Sequence, residues 1–205
     1  MELILASASP RRRELLQLLD RPFQVLVTHI PEEREFGESP TAYVQRLAET
    51  KAAAGFALWQ QQHPQQAAMV IGSDTIVTVD ETVLEKPQDE ADYRRMMALL
   101  SDRKHAVLTA VAVTDGTHQE VAVVSASVTF KALSEAEITN YWLSGEPHDK
   151  AGGYGIQGRA AKFVTHLEGS YLAVVGLPLY ETEQLLQAVE RAHAAASSTS
   201  ISKGS

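Results

Sequence analysis

Apolar and polar positions alternate in blocks whose period changes along the chain, and each change marks an element. Residues 2–6 form an apolar run read as a short buried strand, and Ser9-Pro10 follows as a helix cap with proline at the first helical position. The helix carries Leu15, Leu16, Leu18 and Leu19 and is expected to end near Asp20, before a second strand over residues 23–28. A polar, acidic loop over residues 29–38 leads to Ser39-Pro40, which repeats the cap signal. In the long helix that it opens, Val44, Leu47, Ala48 and Lys51 fall at i, i+3, i+4 and i+7, so Lys51 shares the apolar face.

Residues 60–66, rich in glutamine, read as an exposed connection. An apolar strand over residues 68–72 then runs into Ser73-Asp74-Thr75, so a carboxylate interrupts a buried run near the expected strand end. Ile76, Val77 and Val79, a turn at Asp80-Glu81 and a return through Val83-Leu84 describe a hairpin. A helix over residues 90–100 precedes two β-rich runs, 105–114 and 120–130, expected to pair antiparallel. Ser134 with Glu137 forms a capping box before a helix reaching Leu143. Residues 149–158 hold four glycines in ten positions, too many for a helix or central strand, which predicts a shaped loop. Residues 163–167 and 172–175 are expected as a further hairpin, and Pro178 opens a final helix. Residues 1–196 are read as one folded domain and 197–205 as a disordered tail.

Composition narrows the class. Hydrophobic residues at 44% and charged residues at 21% fit a soluble globular chain rather than a disordered or membrane-spanning one. The basic cluster after a very short apolar run reverses the order of an export signal, and the chain contains no cysteine. Both suit a cytoplasmic protein without disulfides, thiolate chemistry or membrane partner. A net charge of -8 argues against stable nucleic-acid binding, so any anion site must be local.

Such a site is offered where Ser7, Ser9, Arg11, Arg12 and Arg13 meet a helix start, since serine hydroxyls and guanidinium groups there can cradle phosphate. The segment lacks both the P-loop and the dinucleotide-binding glycine patterns. Taken singly, Lys51 reads as a snorkelling lysine and Lys86 and Glu32 as surface groups, while Asp74 reads equally as a turn aspartate. A buried Asp74 would need a partner or a task, because an unpaired buried charge costs several kcal/mol. In the glycine-rich segment, Gln157 can present a paired donor and acceptor to a base edge. The seven histidines show no metal-binding spacing.

The motifs S-x-S-P-R-R from Ser7, R-L-A-x-x-K-A from Arg46, G-S-D-T from Gly72, L-E-K-P from Leu84, D-K-A-G-G-Y-G-I-Q-G from Asp149 and G-S-Y-x-x-V-V-G-L-P from Gly169 together resemble the Maf family over nearly the whole chain. That resemblance implies a mixed α/β fold related to the inosine triphosphate pyrophosphatases: an elongated, twisted mixed sheet flanked by helices, with two lobes around a substrate cleft. It implies hydrolysis of a nucleoside triphosphate to the monophosphate and pyrophosphate, assisted by a divalent cation, magnesium or manganese. Thr75 and residues 153–157 resemble the subgroup acting on thymidine and uridine triphosphates. A subgroup acting on 7-methyl-guanosine triphosphate, in which glutamine commonly follows the aspartate, is the alternative; a non-catalytic nucleotide- or nucleic-acid-binding regulator of cell division is another. By the same resemblance Asp74 is the proton acceptor, and Arg11, Thr75 and Gln157 select the base. Ser7, Arg12, Glu32, Lys51 and Lys86 line the cleft, Glu32 and Asp74 are candidate metal ligands, and a homodimer is left open.

Overall fold

The computed structural model describes the backbone of residues 1–202 and the side chains of residues 1–196. Strands β1 (Glu2–Leu5), β2 (Gln24–Val25), β3 (Ala68–Val79), β4 (Thr82–Leu84), β5 (Lys104–Thr114), β6 (Gln119–Phe130) and β7 (Val164–Glu168) form a seven-stranded mixed sheet of order β2-β1-β3-β5-β6-β7, with β4 added beside β3. The helices are α1 (Pro10–Gln17), α2 (Pro40–Gln62), α3 (Glu90–Leu100), α4 (Glu135–Trp142), α5 (Tyr171–Val175) and α6 (Leu179–Ser202). Both early helices start as their Ser-Pro pairs dictate: the Ser9 and Ser39 hydroxyls accept the Arg12 and Ala42 amides. The capping box at Ser134 and Glu137 is formed. Among the described residues, no helix is long and apolar enough to cross a membrane.

Side-chain alternation assigns the two faces of the sheet. Ile76, Ala110 and Ala112 pack on α2 through Tyr43, Val44, Leu47 and Ala48. Residues of opposite parity face two cores on the other side. Leu3, Leu5, Met69, Ile71, Val111 and Val113 pack with α1 and α6, while Val77, Val79, Val107, Val128 and Phe130 pack with α3 and α4. Ile156 touches both of these cores, so the glycine-rich segment lies at their junction.

The backbone departs from the sequence pattern in four places. Residues 60–62 continue α2 rather than opening a connection. Only Gln24–Val25 of the expected second strand joins the ladder. Residues 172–175, expected as a strand, belong to α5, because Ser170 caps the Ala173 amide and an apolar run this short carries no periodicity to decide between helix and strand. Residues 197–202 continue α6, and residues 203–205 of the expected tail lie outside the described residues.

Asp74 is also placed differently: it sits in the middle of β3 rather than at its end. One edge of β3 is paired with β5 from Val70 to Thr78. On the other edge, β1 pairs only as far as Ile71 and β4 begins only at Val77, so the ladder on that side is interrupted between them. The break is what allows a carboxylate in a central strand to meet open space.

Candidate active site

Three elements bring charge to the break. Gly72 lies under α2, where an added Cβ would stand 2.2 Å from the Ala48 carbonyl and 2.4 Å from the Ala52 amide. The missing side chain lets the α2 backbone settle on β3 and drops Lys51 beside Asp74, two residues further on. Lys51 is 8% exposed, and its Nζ lies 2.6 Å from Asp74 Oδ1 and 2.6 Å from Glu32 Oε1. Lys86 Nζ reaches Glu32 Oε2 at 3.2 Å. Burial alone would raise the Glu32 pKa, yet Lys51 and Lys86 together hold it below its ordinary value.

The loop that delivers Glu32 is fastened to α2. Arg46 binds both Glu38 oxygens at 2.7 and 2.8 Å and the Glu33 carbonyl at 2.9 Å. The Tyr43 hydroxyl lies 2.9 Å from the Glu32 carbonyl and 3.0 Å from Glu85 Oε1. Burial, and then the nearby charges of Asp74 and Glu32, raise the Glu85 pKa despite its contact with Tyr43. Tyr43 and Glu85 were not singled out as site residues in the sequence. Their role depends on contacts between segments that no local pattern joins.

From the opposite face, Arg12 Nε donates to the Gly176 carbonyl at 2.9 Å and Nη2 to Thr75 Oγ1 at 3.1 Å. Thr75 Oγ1 also lies 2.9 Å from Thr109 Oγ1. The Thr75 hydroxyl thus orients Arg12. Burial lowers the Arg12 pKa, an effect that Asp74 and Glu32 partly offset. At the start of α1, Ser7 Oγ accepts the Ser9 amide at 3.1 Å and Ser9 Oγ the Arg12 amide at 3.4 Å. The serines therefore use part of the helix's own donor capacity, and the guanidinium groups dominate this wall. Arg11 makes no ion pair among the described residues.

Ser7, Arg11, Arg12, Glu32, Lys51, Asp74, Thr75, Lys86 and Gln157 all line one cleft of about 710 Å³. Segments spread over 150 residues of sequence thus converge, cations from α1 and α2 facing carboxylates from β3 and the loop before α2. Gln157 is exposed on the wall made by the glycine-rich segment, without a hydrogen-bond partner among the described residues. A family model described as Maf-like protein matches residues 2–189. The chain belongs to the Maf family. Maf-family relatives include a dTTP/UTP pyrophosphatase of Vibrio cholerae, 56% identical over 185 residues, covering 90% of this chain and 96% of that protein. Another, of Yersinia pestis, is 54% identical over 184 residues, covering 90% of this chain and 91% of its own length. A solved dITP/XTP pyrophosphatase from Mycobacterium abscessus aligns over 63% of this chain and 73% of its own at a TM-score of 0.37 and 20% identity, too distant to bear on the site.

The donor set also bears on metal. Among the described residues, no group of three or more His, Cys, Asp or Glu side chains could hold an ion by itself. Glu32 and Asp74 nonetheless aim one oxygen each at a single cationic point, the Lys51 ammonium, 2.6 Å from both. Two hard oxygen donors converging in this way suit a cation that completes its shell with phosphate oxygens and water.

Proposed function

We propose that the protein hydrolyses thymidine and uridine triphosphates to the nucleoside monophosphate and pyrophosphate, with Asp74 as proton acceptor, and that it does so in the cytoplasm, where these nucleotides are held. The observation that carries this reading is the half-filled Asp74 carboxylate. Lys51 occupies Oδ1, while Oδ2 accepts no hydrogen bond among the described residues and the side chain fronts the cleft. The names of the relatives supply the substrates.

A triphosphate lying along the cleft meets Arg11 and Arg12 on one side and Lys51 and Lys86 on the other, which neutralises its charge and orients it. Asp74 accepts the proton of a water whose oxygen attacks the α-phosphorus. The bond from that phosphorus to the bridging oxygen breaks, and pyrophosphate leaves with the electron pair. Arg12, braced by Gly176 and Thr75, is preorganised toward the charge that develops on phosphate oxygens. With Lys51 turned from Glu32 Oε1 and Asp74 Oδ1 toward the triphosphate, those two carboxylates would hold magnesium or manganese together with phosphate oxygens, and the ion would supply further charge neutralisation. Gln157 offers its amide to the base edge.

Incubating the protein with dTTP, UTP, CTP, GTP and 7-methyl-GTP, with magnesium or manganese, tests the reading. Equimolar monophosphate and pyrophosphate from dTTP and UTP support it. Release of orthophosphate, preference for 7-methyl-GTP, or no turnover overturns it.

A further inference from the structure

The segment bearing Gln157 is held in an unusual way. The Gly155 amide donates to Tyr141 Oη at 3.0 Å, and that hydroxyl donates to Glu146 Oε1 at 2.8 Å. On the far side of Gln157, the Arg159 amide donates to both Glu146 oxygens, at 3.1 and 3.0 Å. One phenol and one carboxylate therefore grip the backbone at each end of a five-residue arc, and every proton in the relay has a donor and an acceptor.

Two glycines make room for the grip. A Cβ on Gly158 would fall 2.1 Å from Glu146 Oε1, so only glycine lets the carboxylate lie across the arc. A Cβ on Gly155 would stand 2.9 Å from the Lys150 stem, whose Nζ in turn donates to the Glu146 carbonyl at 2.8 Å. None of these contacts reaches Asp74, Lys51 or Arg12. What they fix is the height and direction of Gln157 on the cleft wall.

We propose that Glu146 and Tyr141 are positioning residues that hold the arc 155–159 and thereby set which nucleobase Gln157 accepts. This rests on the nucleotide reading of the cleft. A base is chosen by paired hydrogen bonds to its edge, so a small displacement of the amide costs the preferred base its pairing and leaves phosphate contacts intact.

The test compares Glu146→Leu, Glu146→Gln and Tyr141→Phe with the unaltered protein. It measures kcat and KM for UTP and GTP, and Kd for the α,β-imido analogues of both. With one end of the grip lost, Glu146→Leu and Tyr141→Phe each raise the KM and Kd for the uridine nucleotides about tenfold and cut the preference over guanosine by a similar factor. The kcat for UTP stays within about twofold, since phosphate positioning is untouched. Glu146→Gln, which keeps a carbonyl oxygen for both donors, retains the preference. Equal losses for every nucleotide, or an unchanged preference in both Glu146→Leu and Tyr141→Phe, overturn the proposal. If the unaltered protein neither binds nor hydrolyses a pyrimidine triphosphate, it is the nucleotide reading that fails. The grip is then read from amide hydrogen exchange, which must quicken at Arg159 in Glu146→Leu and at Gly155 in Tyr141→Phe, and at neither in Glu146→Gln; unchanged exchange overturns the grip itself.

Discussion

Asp115 and Asp74 are both carboxylates sunk into an acidic chain, yet they are satisfied in opposite ways. Asp115, at the tip of the β5–β6 hairpin, has a side chain only 2% exposed. Its Oδ1 accepts the Thr117 and His118 amides at 2.9 and 2.7 Å, and its Oδ2 lies 3.1 Å from His118 Nδ1 and 2.9 Å from His193 Nδ1. Burial by itself would raise its pKa, but these donors outweigh burial and hold it well below the usual carboxylate range. Asp74, its side chain 11% exposed, receives one ammonium on one oxygen. A carboxylate filled on every side ties the hairpin to α6. One left half-filled at a break in the sheet keeps capacity for a water. The contrast separates a structural charge from a chemical one by counting donors.

The comparison can be broken first at Lys51. Lys51→Met leaves Asp74 buried without a counter-charge, and urea unfolding should show a loss of about 4 kcal/mol, because breaking a buried pair strands its partner. Turnover of UTP should fall with it by at least about 100-fold, since one positioned charge at the transition state is worth that much. Unchanged stability would mean that Asp74 needs no partner.

Gly72→Ala probes how the pair is assembled. A methyl 2.2 Å from the Ala48 carbonyl forces α2 away from β3, costing about 3 kcal/mol by overpacking. Because α2 carries Lys51, turnover at a temperature where the variant stays folded should fall as well. Asp115→Ala, by contrast, should cost about 2 kcal/mol of stability from lost charge-assisted hydrogen bonds while kcat for UTP stays the same. A drop in kcat there would erase the distinction drawn above.

A further effect is read from pH. His105 lies beneath Tyr154 with Nε2 2.8 Å from its hydroxyl. Burial, only partly offset by the Arg103 backbone, pushes its pKa from 6.5 down to about 4. The folded state thus prefers the neutral ring, and between these values the unfolded chain binds more protons. This contribution to stability is complete above pH 6.5 and is lost as the pH falls toward 4, at up to about 1.4 kcal/mol per pH unit. His105→Gln should flatten that slope in urea titrations at successive pH values. An identical slope would place the proton uptake elsewhere.

Much of this architecture was legible in local pattern. Ser-Pro caps, the box at Ser134 and the long β5–β6 pair rest on interactions within a few residues or on plain alternation, and they appear where expected. Lys51 on an apolar face was visible from spacing alone. The position of Asp74 within its strand was not, because it depends on where β1 ends and β4 begins on the neighbouring edge. The helical state of residues 171–175 turned on one serine cap. Tyr43, Tyr141 and Glu146 left no signal in the sequence, and Glu85 showed only as part of its motif, since each acts by joining segments brought together only by the fold. Thr75 was visible through its motif, but its engagement with Arg12 and Thr109 needed three elements in place.

The account stands on Asp74 taking a proton from water beside a bound triphosphate. The most direct test follows single turnover of UTP by Asp74→Asn and by the unaltered protein, with the Kd for α,β-imido-UTP measured in parallel. The account predicts nearly equal binding and a rate lowered by about 100- to 10,000-fold, the range for removal of a general base. Equal rates, or a rate loss matched by lost binding, would contradict it.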